Sequence, residues 1–416
     1  MDDAAGSLVA SARRSLTSGV ALLRHASRLL SNQLRRRGVG RHPTFVWWLL
    51  ASPALIALLL VAANLVWWPR GRTGINTADA PLGVVSLLIP ARNEALNIEA
   101  CVRAACALDV FEVVVFDDGS DDDTPAILGS LQTKLPKLRV VRGAGGLPVG
   151  WVGKPHACAA LAAAARGDSF LFVDADVIVD AGALPRLRAL AHDYRADVVT
   201  AVPQQQMGTP MEQLVLPLLH LTYLAWLPLP LIWRSNDPRF LAANGQLLWL
   251  RRSTLDALGG FAAVRAEIVD DMALCRAAKR AGRRVLFADG SAMATCRMYR
   301  SSREVIDGFS KNLHEGVGSV VGTAGVCLLY LTAFVAPALL LPFVDAVALD
   351  VAVAAGGLAR LLIAWRFRQP LWSALLFPVG AAVVAAIALR SLWWSHRGTI
   401  HWKGRSYNAR AARVTV

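Results

Sequence analysis

FLFVDADV, residues 170–177, runs four apolar residues into two carboxylates, Asp174 and Asp176, set one residue apart. A strand covered on both faces of a parallel sheet reads as an unbroken apolar run, so residues 170–173 are predicted to be one. Ligands of open α/β sheets sit just beyond the carboxyl ends of the strands. Two acids at such an edge suit a hard divalent cation shared with a phosphate-bearing substrate. A strand followed by a plain acidic turn has the same local pattern, so the surrounding chain has to decide between them.

Working outward, apolar runs at 84–89, 112–116, 138–141, 198–202, 241–250 and 285–288 predict further strands. Segments 95–108, 155–165, 184–192 and 271–281 predict helices, and Thr124 with Pro125 predicts the start of another. Strands alternating with helices imply an α/β domain with a mostly parallel sheet and helices on both faces. In such a sheet the strand ends share one rim. Pro90, Ala91, Arg92, Asn93 and Glu94 follow the first strand, Asp117 and Asp118 the second, and Asp174 and Asp176 the fourth. They are expected to converge on one nucleotide-bearing ligand. Asp121, Asp122 and Asp123 read as a solvated, helix-capping turn. Neither G-x-G-x-x-G nor G-x-x-x-x-G-K-[ST] occurs, so dinucleotide and P-loop chemistry are not indicated.

Of the 416 residues, 55% are hydrophobic, and a mean hydropathy of +0.43 points to membrane segments. Residues 45–68 carry no charge, are long enough to span a bilayer, and have Trp47, Trp48, Trp67 and Trp68 at their two ends. Residues 317–343, 346–365 and 371–394 are further apolar runs; Asp350 and Arg360 make the middle one the weakest span. Residues 212–233 are apolar but broken by Pro217, Pro228 and Pro230, which predicts an interfacial segment rather than a straight span. Leu227 and Leu229 on it are expected to face an amphiphilic acceptor, with Arg300 and Arg303 flanking the entrance and Asn244 and Gln246 also facing the acceptor. His220 and Tyr223 read as packing residues.

The net charge of +14 is concentrated at the two ends. Basic blocks beside apolar runs fit anionic lipid headgroups, and no aromatic-interleaved motif for nucleic acid is present. The chain thus divides into a basic segment 1–43, a membrane helix 44–69, a domain 81–312 containing the interfacial segment 212–233, a membrane region 317–394 and a basic tail 395–416. The six cysteines form no C-x-x-C and have no zinc spacing, and read as small buried residues in a reducing compartment.

VVSLLIPARNEALNI, VVVFDDGSDDDT, GWVGKPHACAALAAAARGDSFLFVDADV and EIVDDMALCRAAKRAGRRV together resemble the family 2 glycosyltransferases of GT-A (nucleotide-diphosphosugar transferase) fold, over roughly residues 84–312. GWVGKPHA, RMYRSSREVIDGFSKN and WKGRSY are similar to a bacterial membrane subgroup associated with carotenoid and hopanoid glycosylation. The resemblance implies that PARNE and Asp117–Asp118 contact the base and ribose, and that Lys154 and His156 lie near the nucleotide. It implies that Asp174 and Asp176 are the D-x-D motif, Asp176 being the direct ligand of Mg2+ or Mn2+. It makes Asp270 and Asp271 the family's acid pair, with Asp271 the general base; Asp270 stands where the family usually has Glu. The Q-x-x-R-W motif of processive synthases is absent, and RMYRSSR occupies that region, which implies addition of a single sugar.

The expectation is a membrane-bound, inverting glycosyltransferase with a UDP-sugar donor and a lipid-like acceptor. Its catalytic domain is expected on the cytoplasmic side of the inner membrane. A polyprenyl-phosphate or short-glycan enzyme of the same fold is a rival reading, as is a transport or scaffold protein with an inactive nucleotide-binding domain. Two further expectations are physical. A helix start favours the ionised form of Asp271 and should keep its pKa low. The arginine-rich start favours a cytoplasmic N-terminus, which after one span conflicts with a cytoplasmic catalytic domain.

Overall fold

The computed structural model describes residues 44–74, 82–143, 146–397, 400–403 and 405–407. The basic segment 1–43 and the end of the basic tail lie outside the described residues. The strands are β1 (Val85–Ala91), β2 (Glu112–Asp117), β3 (Leu138–Arg142), β4 (Ser169–Val173), β5 (Val177–Val179), β6 (Val198–Gln205), β7 (Leu247–Arg251) and β8 (Val285–Cys296). They form one sheet in the order β3-β2-β1-β4-β7-β6-β8-β5.

Alternation along the buried strands supplies two cores. Leu87, Ile89, Val113, Val115, Leu171 and Val173 pack on one face against Ile98 and Val102. Leu88, Val114, Phe116, Phe170 and Phe172 pack on the other against Leu161, Leu274 and Ala278. Each such side chain contributes about 1.5–3 kcal/mol on leaving water, and both faces are filled because helices cover both.

The sheet is more mixed than the alternation of strands and helices predicts. β3, β2, β1 and β4 are parallel, as are β6 and β8. β7 runs antiparallel to both β4 and β6, and β5 antiparallel to β8. LLWLR is apolar in either direction, so nothing in its sequence marks its sense. The reversal matters for the site: the chain leaves β6 at one end and re-enters β7 at that same end, so the intervening 206–246 both starts and ends at the rim. The predicted strand 241–250 begins only at Leu247. Before it, Asn244 exchanges two 2.8 Å backbone hydrogen bonds with the Thr200 hydroxyl and accepts Gln246 N–H at 2.9 Å, holding an irregular turn.

Among the described residues, four helices are long and apolar enough to cross a membrane: Phe45–Trp67, Val320–Leu340, Val347–Arg366 and Phe377–Arg397. The Val347–Arg366 helix is not the weakest of the spans, since Phe377–Arg397 is less apolar; its Arg360 is buried and donates to Gln369 Oε1 at 3.2 Å, while Nε and Nη2 have no partner among the described residues. The end of the bundle that meets the α/β domain is fixed by three contacts. Trp68 stacks on Phe287 of β8 at 5.3 Å, Arg70 reaches Asp289 at 3.4 Å, and Arg366 pairs with the same Asp289. Phe45–Trp67 and Val347–Arg366 therefore both end at the α/β domain.

The last helix differs. Its end lies on the domain, with Arg390 on Asp307 at 2.8 Å and Ser395 donating to Glu315 at 2.7 Å. Its first residue, Phe377, packs on Phe334 at 6.0 Å, about 20 Å along that helix from Val320 at 1.5 Å per residue. It starts inside the bundle and returns to the side from which residues 367–376 came.

The interfacial segment is three short helices, Pro210–Val215, Pro217–Ala225 and Pro230–Arg234. Each has proline in its first turn, where no N–H is needed, so these prolines start helices rather than kink one. The break before Pro230 is held by Asn64 of the first membrane helix, which is fully buried. Its amide donates to the carbonyls of Leu224 at 2.8 Å and Leu227 at 2.7 Å, and its Oδ1 accepts Leu229 N–H at 2.9 Å. Three backbone groups that an apolar bundle could not satisfy are thereby paired, each worth about 1–3 kcal/mol if left bare.

Candidate active site

The rim begins where β1 ends. Asn93 has φ +53, a left-handed conformation that asparagine tolerates. Its N–H donates to Ser120 Oγ at 2.9 Å and its Oδ1 accepts Asp121 N–H at 2.8 Å, tying the turn after β1 to the turn after β2. Asp122 accepts the N–H groups of Ala95 and Thr124, both at 3.0 Å, so the acidic run is a capping turn. Thr124 is itself the first helical residue, and its hydroxyl accepts Glu94 N–H at 2.8 Å rather than capping.

At the end of β4, Asp174 Oδ1 pairs with Lys154 Nζ at 2.6 Å. Lys154 stands in the first turn of the Gly153–Ala164 helix. Asp270 and Asp271 open the Asp270–Arg280 helix, and Asp271 Oδ1 accepts Met272 N–H at 2.8 Å. Gly245 joins the two halves: a Cβ there would lie 3.2 Å from Lys154 Nζ and 3.3 Å from Asp271 Oδ2. No larger residue fits without displacing one of them.

Asp176 is half-buried, yet its Oδ1 is sealed from solvent and has no hydrogen-bond partner among the described residues. Burial, with Asp174 and Glu94 adding to it, pushes its carboxyl up to about 7. Burial also pushes Asp270 up to about 7, Asp271 adding to the effect and Lys154 opposing it.

The expectation of a low pKa for Asp271 is overturned: burial raises it, against the pull of Lys154. A helix N-terminus stabilises a carboxylate by about 0.3–1 kcal/mol, less than the several kcal/mol that burial of an ion costs. Lys154 goes the other way. Burial disfavours its ammonium, but Asp174, Asp270 and Asp271 together hold it well above the usual range. Lys311, on the Ser302–Val317 helix, is lowered to about 8 by burial and by Lys154.

These groups line one cavity of about 980 Å³. It runs from Pro90, Ala91, Arg92, Asn93, Glu94 and Asp118 past Lys154, Asp174 and Asp176 to Asp270 and Asp271. From there it continues between Leu218, Tyr223, Leu227, Leu313 and Val384, side chains of the interfacial segment and the membrane-side helices. An unpaired carboxylate oxygen beside a second carboxylate can hold a cation. Among the described residues no group of three or more His, Cys, Asp or Glu is placed to hold one alone. A divalent ion at Asp176 would therefore complete its shell from substrate oxygens, as Mg2+ does with phosphates.

Residues 86–272 match the family model described as glycosyl transferase family 2. This stretch is a family 2 glycosyltransferase domain. The chain is 36% identical over 146 residues to a beta-monoglucosyldiacylglycerol synthase of Synechocystis sp., covering 34% of this chain and 30% of that one. It is 23% identical over 239 residues to a 4,4'-diaponeurosporenoate glycosyltransferase of Staphylococcus haemolyticus, covering 56% of this chain and 62% of that one. The aligned parts thus span less than two thirds of these curated relatives. Among solved structures, a mannosyltransferase of Pyrobaculum calidifontis in complex with GDP-Man and Mn2+ superposes with a TM-score of 0.51 at 18% identity, over 83% of this chain and 99% of that one. That likeness shows the GT-A fold of the glycosyltransferase domain.

Not every residue singled out in the sequence reaches the cavity of the glycosyltransferase domain. Asp117 is buried behind the lining, accepting Ser120 N–H at 3.0 Å. His156 stands between the rings of Phe116 at 5.8 Å and Trp151 at 5.9 Å. Asn244 and Gln246 line the cavity but spend their side chains on the protein: Asn244 on Gln246 N–H, and Gln246 on Gln205 at 2.9 Å and Cys296 at 3.0 Å.

Arg300 and Arg303 border the cavity, Arg300 donating to Asn97 Oδ1 at 2.8 Å and Arg303 standing 3.5 Å from Asp307. Leu229 is in the core, unlike Leu227. His220 packs on Phe367 at 4.1 Å and Tyr223 on Phe287 at 4.9 Å, as expected of packing residues, and Tyr223 also lines the cavity. Lys311 and Lys403 line it too and were not singled out as site residues. The only sequence signal for either was the resemblance carried by GFSKN and WKGRSY.

Proposed function

We propose that this chain moves one sugar from a nucleotide-diphosphate sugar to a hydroxyl or carboxyl group of a membrane lipid, inverting the anomeric centre. One observation carries the reading: a single cavity is polar and acidic at the strand rim and apolar where it meets the membrane-side helices. A nucleotide sugar matches the first half and a lipid with a polar head the second. The names of the two relatives, each coupling a sugar to a lipid, support this.

In this reading Asp176, with Asp174 beside it, would hold Mg2+ or Mn2+, and such an ion would supply charge stabilisation for the departing diphosphate. Lys154 keeps Asp174 oriented. Asp271 takes the acceptor proton as the bond to the anomeric carbon forms, and its raised pKa makes it a stronger base than a free aspartate. The expected donor is a UDP-sugar. Nucleotide sugars are cytoplasmic, which puts the glycosyltransferase domain on that side of the inner membrane. Since the first membrane helix ends at that domain, its Thr44 end then lies on the far side, and the assumption of a cytoplasmic N-terminus is the one given up.

Leu227→Gln puts an amide into the apolar half of the cavity. Transfer to a lipid acceptor is expected to fall about tenfold or more, the scale of an unpaired polar group in an apolar site, while hydrolysis of the donor by water persists. Parallel assays of the two activities in one preparation read this split. Equal loss of both would signify misfolding and remove the support for an acceptor passage. Leu229 is unsuitable for this test because it is fully buried in the core.

A further inference from the structure

We infer that the C-terminal hairpin is part of the donor site: Lys403 binds the diphosphate of the donor nucleotide, and Arg405 positions it. This rests on the nucleotide-sugar reading above. The hairpin is β9 (Ile400–Trp402) and β10 (Arg405–Tyr407), antiparallel, with Trp402 opposite Arg405. More than two hundred residues after the D-x-D, it lies against the β1 and β2 rim.

Arg405 is the anchor. Its guanidinium takes the Asp118 carboxylate with both nitrogens, Nη2 standing 3.1 Å from Oδ1. Bidentate arginine–carboxylate pairs fix geometry as well as contributing energy. Arg92 completes the clasp from the rim: its Nε donates to the Lys403 carbonyl at 3.0 Å and its Nη1 to the Gly119 carbonyl at 2.8 Å. The Arg92 side chain is therefore committed to holding the hairpin, not to a base or ribose.

Lys403 is the residue so presented. It lines the cavity together with Asp174 and Asp176, and its Nζ lies 2.9 Å from Glu94 Oε1 and 2.9 Å from the Asn93 carbonyl. Lys154 approaches the D-x-D from one element and Lys403 from another. Lys403 also has φ +47, a conformation that costs a lysine about 1–3 kcal/mol and a glycine nothing. Two-residue hairpin turns favour asparagine or glycine there, so the side chain, not the turn, accounts for a lysine. A diphosphate entering beside Glu94, Asp174 and Asp176 needs cations within reach. The Lys403 ammonium can exchange the Glu94 carboxylate for a phosphate oxygen without moving its backbone. The placement also agrees with the last membrane-side helix returning to the catalytic side, which brings the tail there.

The test is calorimetric titration of the full-length detergent-solubilised protein with UDP, GDP, ADP, CDP and dTDP in the presence of Mn2+, and with the matching monophosphates. Lys403→Gly keeps the turn, since glycine suits the backbone. It is expected to weaken the preferred diphosphate about 10- to 100-fold, the scale of one charge-assisted hydrogen bond, and the monophosphate less. Arg405→Ala should show the same loss, Arg405→Lys should recover part of it, and the donor KM should rise more than kcat falls. Unchanged or tighter diphosphate binding in Lys403→Gly, or equal losses for mono- and diphosphate, would overturn the assignment. A wild-type protein that binds none of these nucleotides would overturn the donor reading first and this one with it.

Discussion

Asp271→Asn is expected to lower sugar transfer about 10²- to 10⁴-fold, the usual range for loss of a general base, while leaving donor affinity nearly unchanged. Asparagine keeps the shape and keeps an Oδ1 that can accept Met272 N–H, as Asp271 does at 2.8 Å. What it lacks is a lone pair basic enough to take a proton. Burial favours a protonated Asp271, and Lys154 restrains that tendency. The group is thus a carboxylate with a raised pKa beside a persistent cation, better matched to an alcohol's proton than a solvated aspartate. Steady-state transfer together with donor binding in the same variant decides the matter. Near-normal turnover would place the base elsewhere, with Asp270 the neighbouring carboxyl to examine.

Asp176→Ala is expected to abolish transfer and to weaken Mn2+ binding in the presence of nucleoside diphosphate. The two carboxylates of the D-x-D are not equivalent. Asp174 is engaged by Lys154 at 2.6 Å, whereas Asp176 Oδ1 is sealed and unpartnered among the described residues. A buried carboxylate oxygen without a donor costs free energy unless something positive completes it. Electron paramagnetic resonance of bound Mn2+ provides a readout independent of turnover. Full activity in excess chelator, or unaltered Mn2+ binding in the variant, would refute the role given to Asp176.

The parts of the site that share one strand rim were legible in the sequence because each lies at the end of an apolar run. β4 and its two carboxylates, the PARNE turn and the Asp270–Asp271 helix start are local patterns, and local patterns survive translation into structure. The sense of β7 was not legible, because LLWLR pairs equally well in either direction and only the path of 206–246 decides it.

Three other features depended on long-range contacts. Pro217 and Pro230 of the interfacial segment look like breaks in the sequence, yet they begin helices, while Pro228 does lie in the real break, which is stabilised by Asn64, some 160 residues away in sequence. The raised pKa of Asp271 is not legible in the sequence, because a helix start is visible there and burial is not. Lys403 and Arg405 sit in a short polar hairpin with no periodicity, and their place at the rim comes from Glu94 and Asp118, about three hundred residues earlier.

The reading of this chain as a lipid glycosyltransferase is tested most directly by the wild-type protein itself. Purified in detergent with Mn2+, it should be incubated with a panel of nucleotide sugars and extracted bacterial membrane lipids, and the lipids analysed by mass spectrometry. The predicted result is one lipid class gaining the mass of one sugar residue, with one preferred donor, and no ladder of longer products. No sugar-bearing lipid with any donor would contradict it, as would a ladder of repeated additions.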